Sequence, residues 1–307
     1  MKKAGPLAIF GARALLGFLW LLHWLPLPVL AALGAGMGAF LYPLARSRRR
    51  IANRNLQLCF PHWDDQHRRR VARAHFRWMG RSILEHSLLW FASERRLRGL
   101  ISVEGDVKFA ERSPKPVMWL VPHFVGLDFA AVGALFHQNH PACSMYQTQS
   151  NPVMDAVIRR GRVRFGDEKR SQLYPRSDKA LPLIRAIRKG AAFFNLPDQD
   201  FGERDSAFVP FFGVRASTLL APSRMARALD MVVQPVVAEM LPGGRGYRIR
   251  FLEPWTDFPT EDAVADTAAM NRWIESEVKK NPAQYLWVHK RFKTRPPGEG
   301  SLYVWDR

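Results

Sequence analysis

A long uncharged segment near the N-terminus constrains the fold of this chain more than any other feature. Between Ala14 and Pro43 there is no Asp, Glu, Lys or Arg, and the only basic side chain is His23. In a helix that rises about 1.5 Å per residue, such a segment exceeds the thickness of a bilayer core. The sequence therefore predicts an N-terminal hydrophobic membrane-anchor helix within residues 1–45, followed by one domain over residues 46–307.

The form of this anchor stays open at the level of sequence. Pro26 and Pro28 would break or kink a helix near its middle. Gly34 and Gly38 have a spacing that can pack helices, although glycine is frequent here and chance explains it equally well. Basic residues flank the segment on both sides, so the positive-inside rule only weakly favours a cytoplasmic C-terminal side. A straight span, a bent anchor and an interfacial anchor all fit, whereas a cleaved signal peptide would be shorter.

Positive charge is concentrated directly after the anchor. The chain has a formal net charge of +19, and the stretch from Arg46 to Arg98 holds fourteen Arg, no Lys and four acidic residues, a local balance of +10. Arginine beside a membrane segment is attracted to anionic lipid by about 1 kcal/mol per residue. The alternative is the solvated face of an amphipathic helix, which the apolar periodicity over residues 71–84 predicts in either case.

Strand-like and helix-like patterns alternate through the rest of the chain, which predicts an α/β fold with a mixed sheet flanked by helices. The predicted strands are Val117–Val121, Ala191–Leu196, Met231–Leu241 and Tyr247–Leu252. The predicted helices are Asp128–Phe136, Asp178–Lys189, Thr218–Leu229 and Asp262–Lys279.

The first of these strands leads into Pro122-His123, and Asp128 follows five residues after the histidine. Reactive groups in α/β sheets lie beyond the carboxyl ends of strands. If the chain turns into a helix after Phe124, Asp128 returns toward the imidazole of His123, accepts one ring N–H and leaves the other nitrogen free to deprotonate a hydroxyl. The alternative is a chance spacing, or a histidine that only satisfies a backbone carbonyl.

Motifs typical of other enzyme classes are absent from the sequence. The sequence contains no Gly-x-Ser-x-Gly elbow, no Walker phosphate loop and no His-Glu-x-x-His helix. With two cysteines, Cys59 and Cys143, and nine histidines without ligand spacing, we expect neither a metal nor a disulfide framework, and no cofactor. A membrane-tethered nucleic-acid-binding protein would use the arginines, but no helix-turn-helix, zinc finger or RNA-binding aromatic motif accompanies them, so no nucleic acid partner is expected.

Several motifs occur in order along nearly the whole chain: Arg49-Arg50-Ile51-Ala52-Asn53-Arg54-Asn55-Leu56 with Cys59-Phe60-Pro61, His123-Phe124-x-x-Leu127-Asp128, Asn151-Pro152-x-x-Asp155, Gly161-Arg162-Val163-Arg164, Pro197-Asp198-Gln199-Asp200-Phe201-Gly202, Phe208-Val209-Pro210-x-Phe212 and Gln284-Tyr285-Leu286-Trp287-x-His289-x-Arg291-Phe292-Lys293-Thr294-Arg295. Together they resemble the late acyltransferases of lipid A biosynthesis (lauroyl or myristoyl transferases) within the wider lysophospholipid-acyltransferase-like group.

The resemblance implies a membrane-anchored enzyme at the cytoplasmic face of a bacterial inner membrane. Its donor would be an acyl chain on acyl carrier protein, and its acceptor a hydroxyl of a phosphorylated glycolipid, the lipid A precursor. Both are anionic, which suits the basic chain. His123 would be the general base, Asp128 would orient it, and Arg162 or Arg164 would stabilise the oxyanion, with no covalent acyl-enzyme.

Other residues carry weaker expectations. Asn151, Asp198 and Asp200 are candidates for substrate binding, although two Asp at a strand end most often cap a turn. Asp128 stands where several close relatives carry Glu, which puts the particular lipid A branch in doubt. A glycerolipid acyltransferase with the same pair of residues remains the alternative enzyme. A phenylalanine cluster could line an acyl groove or belong to the core: Phe193, Phe194, Phe201, Phe208, Phe211 and Phe212.

Overall fold

A seven-stranded mixed sheet forms the centre of the molecule. The computed structural model describes residues 4–166, 170–178 and 180–305. The strands are β1 Ile101–Gly105, β2 Val117–Leu120, β3 Ala142–Tyr146, β4 Ser171–Pro175, β5 Ala192–Asn195, β6 Ser206–Phe211, β7 Val214–Leu219, β8 Val232–Met240 and β9 Tyr247–Phe251. Their order is β1-β9-β8-β2-β5-β3-β4, with β8 and β9 antiparallel and the other pairs parallel, while β6 and β7 form a separate antiparallel hairpin.

Helices flank the sheet, which confirms the predicted α/β class. They are α1 Pro6–Leu22, α2 Leu27–Leu44, α3 Arg46–Cys59, α4 Asp65–Phe91, α5 Glu94–Arg98, α6 Phe109–Arg112, α7 Leu127–His137, α8 Pro152–Val163, α9 Leu181–Arg188, α10 Ala221–Ala228 and α11 Ala263–Lys280. Short 3₁₀ turns occur at Pro242–Gly244 and Pro282–Gln284. The helix predicted from Thr218 begins later, because Thr218 and Leu219 still pair with β6. The predicted helix Asp178–Lys189 starts at Leu181, and its residue 179 lies outside the described residues.

Strand β2 is buried on both faces, which explains its continuous apolar sequence. Alternate side chains of a strand point to opposite faces. Met118 and Leu120 enter the core that contains α3 and α11, whereas Val117 and Trp119 enter the core beneath α7. The strand is therefore central in the sheet.

The apolar N-terminal segment is interrupted rather than continuous. Helix α1 ends at Leu22, α2 begins at Leu27 with Pro26 as its N-cap, and among the described helices α2 is the one long and apolar enough to cross a membrane. Gly34 and Gly38 lie against the backbone of α4, so close that a Cβ on Gly38 would meet the Phe76 carbonyl oxygen at 2.0 Å. The glycine spacing thus serves a helix crossing within the molecule.

Candidate active site

Two parallel strand ends bring His123 to a buried carboxylate. Strands β2 and β5 are neighbours, and each continues past its last paired residue, one to His123 and the other to Asp198. The His123 Nδ1–H donates to Asp198 Oδ1 at 2.6 Å, and the His123 backbone N–H donates to Asp198 Oδ2 at 2.9 Å. The carboxylate of Asp198 is fully buried, so these two bonds fix both its oxygens and the ring.

The His123 ring keeps one nitrogen available. Burial would raise the pKa of Asp198, but the charge and the hydrogen bonds of His123 outweigh it and lower that pKa below its ordinary value. Within the described part of the chain no group bonds the His123 Nε2, and its side chain is 14% exposed. Burial, with the nearby charges of His123 and Arg291, lowers the pKa of His289 to about 4, so this neighbouring ring is neutral. In this arrangement Nδ1 of His123 is fixed by Asp198, and Nε2 can accept a proton.

Asp128 lies in a different cluster. It occupies the first turn of α7, where its Oδ2 accepts from the His86 Nε2–H at 2.9 Å and its Oδ1 from the Arg162 Nε–H at 3.2 Å. The structure therefore corrects the predicted pairing of His123 with Asp128. The carboxylate on the neighbouring strand end, Asp198, is already in contact with the imidazole, and two cationic side chains from α4 and α8 hold Asp128 instead.

His86 is the partner that the sequence did not indicate. Its Nδ1–H donates to the Ser82 carbonyl at 2.5 Å while its Nε2–H donates to Asp128, so both ring nitrogens face acceptors and the ring is best satisfied as an imidazolium. Burial lowers the pKa of His86, but the bonds to Asp128 and to Ser82 raise it above its ordinary value overall. For Asp128, burial opposes ionisation, yet Arg162 and His86 hold its pKa well below the ordinary range. Arg162 and His86 therefore both favour the ionised form of Asp128.

The two candidate arginines, Arg162 in α8 and Arg164 at its C-cap, have different surroundings. Arg162 reaches Asp128, whereas Arg164 turns away, donates to the Leu89 carbonyl at 3.3 Å and lies over the ring of Phe165. Side chains two positions apart on a helix point to nearly opposite sides. Only Arg162 of this pair stands at the ionic cluster.

Two apolar cavities meet at Asp128 and Arg162, which line both of them. The inner cavity lies between α7 and the strands β3, β4 and β5, and its wall includes Ala131, Ala134, Met145, Leu173 and Phe194. The outer groove, of about 380 Å³, lies between α1, α4 and α8, and its wall includes Leu15, Phe18, Ile83, Met154 and Ile158. Apolar chains could thus approach one charged cluster from two sides.

Comparison with known proteins identifies the family of the chain. Residues 3–294 match the family model described as bacterial lipid A biosynthesis acyltransferase. The chain belongs to this family. It is an acyltransferase, and its relatives in Escherichia coli (strain K12) include a lipid A biosynthesis lauroyltransferase, 33% identical over 291 residues that cover 94% of this chain and 93% of that one. A palmitoleoyltransferase is 35% identical over 299 residues (94% and 93%), and a myristoyltransferase 31% identical over 280 residues (90% and 83%).

The side chains of two predicted substrate-binding residues of the acyltransferase form hydrogen bonds with other residues of the protein. Asn151 caps α8 by accepting from the N–H groups of Val153 and Met154, and its amide donates to the Ala8 carbonyl of α1 at 2.9 Å. Asp200 accepts from the backbone and hydroxyl of Thr294 at 2.7 and 2.8 Å. Both contacts organise the fold around the site, and the third candidate, Asp198, holds His123.

The sequence did not single out His86 or Tyr285 of the acyltransferase. It also did not distinguish the phenylalanines that line a cavity from those in the core. Tyr285, beside Asp198, stands within the Gln284–Arg295 motif, so that motif was the available signal. For His86 there was none, because it meets Asp128 across 42 positions. Of the six phenylalanines, Phe193 and Phe211 are core residues, and Phe194 is the one that lines the inner cavity.

Proposed function

We propose that this acyltransferase moves a fatty acyl chain from acyl carrier protein to a hydroxyl of a phosphorylated lipid A precursor, at the cytoplasmic face of a bacterial inner membrane. The observation that carries the proposal is the His123 ring, held through Nδ1 by buried Asp198 and free at Nε2, at a strand end where it lines a small pocket with Tyr285 and His289. Membership of the lipid A acyltransferase family supports the acceptor class. The anionic character of both substrates supports their attraction to a chain of net charge +19.

The first step is removal of the acceptor proton. The Nε2 of His123 takes the hydroxyl proton as the oxygen attacks the thioester carbonyl, and Asp198 offsets the charge that forms on the ring. The tetrahedral intermediate then collapses, the carbon–sulfur bond breaks, and the imidazolium returns its proton to the departing thiolate. The products are an ester and a free thiol, and no acyl group is attached to the protein.

The oxyanion of that intermediate needs a donor aimed at it. Arg162 fits this role because it is cationic, lines both apolar cavities and is held by Asp128, which His86 holds in turn. Loss of one such donor costs roughly 3 kcal/mol, or a hundredfold or more in turnover. The apolar cavities on either side supply surfaces on which the donor and acceptor acyl chains can be desolvated.

The test is transfer of a radiolabelled acyl chain from acyl carrier protein to the lipid A precursor by purified full-length protein. His123→Ala should abolish transfer while leaving folding and membrane association intact, whereas His62→Ala, at an exposed histidine, should retain it. A folded, active His123→Ala enzyme would remove the base assignment. Equal transfer to a lysophospholipid acceptor would favour glycerolipid acylation instead.

A matched pair of arginine variants tests the oxyanion assignment. Arg162→Ala should lower kcat by roughly 10²–10³ with little change in KM, since the donor acts on the transition state. Arg164→Ala, which loses a bond to the Leu89 carbonyl on the far side of the helix, should lower kcat far less. Equal and mild losses in both variants would mean that the two arginines bind lipid only.

A further inference from the structure

Helix α2 is held at its beginning by the same domain that carries the candidate active site. Pro28 packs on Gly244 so closely that a Cβ on that glycine would approach the Pro28 Cα at 2.6 Å. In the preceding turn, the guanidinium of Arg96 on α5 donates to the carbonyls of His23 and Leu25. The turn between α1 and α2 is therefore fixed to the catalytic domain.

The end of α2 is held by that domain as well. The ring of Tyr42 meets Phe76 of α4 edge to face at 5.2 Å, and the guanidinium groups of Arg49 and Arg73 lie 5.5 and 5.8 Å from its centre. Eighteen residues of helix span about 27 Å, nearly the thickness of a bilayer core. A helix that crossed the membrane would have its two ends on opposite sides, yet both ends contact one domain.

The contacts of the middle of α2 also argue against a helix that crosses the membrane. Gly38 contacts the backbone of Phe76 and Arg77, and Gly34 contacts Gly80 and Arg81, so the two helices run antiparallel side by side. The Arg77 side chain is exposed at this level. If α2 crossed a bilayer, this arginine would lie in hydrocarbon, which costs several kcal/mol.

The outward faces of α1 and α2 are apolar. On α1 the side chains of Leu7 and Phe10 are 84% and 71% exposed, and on α2 Phe40 is 68% exposed, in a stripe with Val29 and Leu33. Trp24, at the turn, is 68% exposed, and tryptophan is typical of the interface between lipid and water. Surfaces of this kind are rare on soluble monomers.

Exposed arginines flank this apolar face. Seven of them on α3 and α4 have no carboxylate within 4.0 Å among the described residues: Arg46, Arg48, Arg50, Arg69, Arg70, Arg73 and Arg77. They are grouped around the end of α2, where Arg73 lies over Tyr42. An apolar face with arginines along one side matches an anionic bilayer surface, whose phosphates bind guanidinium groups.

We propose that α1 and α2 lie in the plane of an anionic membrane surface and do not cross it. The inference rests on the proposed membrane location and adds its geometry: the turn between the helices and the start of α3 are on the same, cytoplasmic side. The outer groove opens on this face, where Leu15, Phe18 and Ile83 are about half exposed, and leads to Arg162. The acyl chains of the lipid acceptor therefore enter the site from the bilayer without crossing water.

Single cysteines distinguish the possible topologies. Trp24→Cys reports the turn, Ser47→Cys reports the start of α3, and the native Cys59 and Cys143 are buried, so the unaltered protein is the blank. A membrane-impermeant maleimide is added to sealed inverted inner-membrane vesicles and to spheroplasts. Both cysteines should be labelled in the inverted vesicles and neither in the spheroplasts.

Two other results would overturn the in-plane arrangement. A spanning α2 would expose Trp24→Cys only in spheroplasts, and an inserted helical hairpin would leave it unlabelled in both preparations until detergent is added. Transfer activity of each variant is measured in parallel. An active enzyme labelled from the periplasmic side contradicts the topology and leaves the proposed reaction standing, whereas inactive wild-type protein contradicts the reaction alone.

Vesicle flotation tests the arginine contribution. Changing Arg69, Arg70, Arg73 and Arg77 together to Gln should weaken binding to phosphatidylglycerol vesicles by roughly 10- to 100-fold at low salt and scarcely affect binding to phosphatidylcholine vesicles. The control changes Arg185 and Arg188 on α9, which packs on β3. Unchanged vesicle binding with a raised KM for acyl carrier protein would assign the arginines to the carrier and contradict the lipid contact.

Discussion

At the scale of single residues, the two histidine–aspartate pairs differ in what they leave free. His123 gives one ring nitrogen to Asp198 and keeps the other, so it can accept a proton. His86 has both ring nitrogens in hydrogen bonds, so neither is free to take a proton from a substrate. The His123–Asp198 pair is thus suited to proton transfer, and the His86–Asp128 pair is suited to holding Arg162.

Exchanging each carboxylate for its amide separates these roles. Asp198→Asn should lower kcat by roughly 10³–10⁴ with an intact fold, because an amide no longer fixes the His123 tautomer or offsets its charge. Asp128→Asn should cost less, through a displaced Arg162. Exposed Asp205, paired with Arg224, is the control. The assignment fails if steady-state kinetics show a silent Asp198→Asn and an inactive Asp128→Asn.

The His86 cluster predicts a pH dependence of stability. Because its pKa is raised in the folded state, the cluster contributes stability that is fully present below the unfolded value of about 6.5 and is lost as pH rises through the folded value. Thermal unfolding in detergent between pH 6 and 9 should therefore show a declining midpoint, and His86→Asn should flatten that decline. His62→Asn is the control, and an unaltered decline in His86→Asn would remove the cluster as its origin.

At the scale of elements, the crossing of α2 and α4 depends on glycine at Gly34 and Gly38 but not at Gly36 between them. A Cβ on Gly38 would meet the Phe76 carbonyl at 2.0 Å, whereas a Cβ on Gly36 would meet nothing within 4 Å. Gly38→Ala should cost roughly 1–3 kcal/mol in the free energy of unfolding, because the helices must separate. Gly36→Ala should gain about 0.5–1 kcal/mol. Denaturant titrations in detergent measure both, and equal effects would contradict the close crossing.

The same elements show which structure is readable from sequence. Strand β2 and helix α11 were predicted within a few residues, since their periodicity is local and their signals are strong. Strand β1 escaped prediction because it is an edge strand with little apolar content. The end of β7 was assigned to the next helix, since Thr218 carries no signal that separates a paired strand from a helix start.

At the scale of the whole molecule, sequence pointed to His123 as a candidate but not to the carboxylate that contacts it. His123 follows from a rule about strand ends, which needs only the residues around it. Its carboxylate depends on which strand lies beside β2, and Asp198 is 75 positions away. The His86 contact with Asp128 likewise depends on how α4 packs over α7. Sheet order and helix packing are properties of the folded chain, so no local spacing could supply either pair.

The apolar lining of the inner cavity leads to a prediction about acyl length. Ala131 lines this cavity, and a leucine there would fill part of the space that we propose for an acyl chain. Ala131→Leu should shift the preferred donor toward shorter acyl chains, by roughly 10-fold or more in relative kcat/KM, because each misplaced methylene is worth about 1–3 kcal/mol. Competition between acyl carrier proteins bearing chains of different length, read by mass spectrometry, measures the shift. Ala265→Leu, on the exposed face of α11, should leave the preference unchanged. A uniform loss across all lengths in Ala131→Leu would mean that the cavity supports the fold and holds no acyl chain.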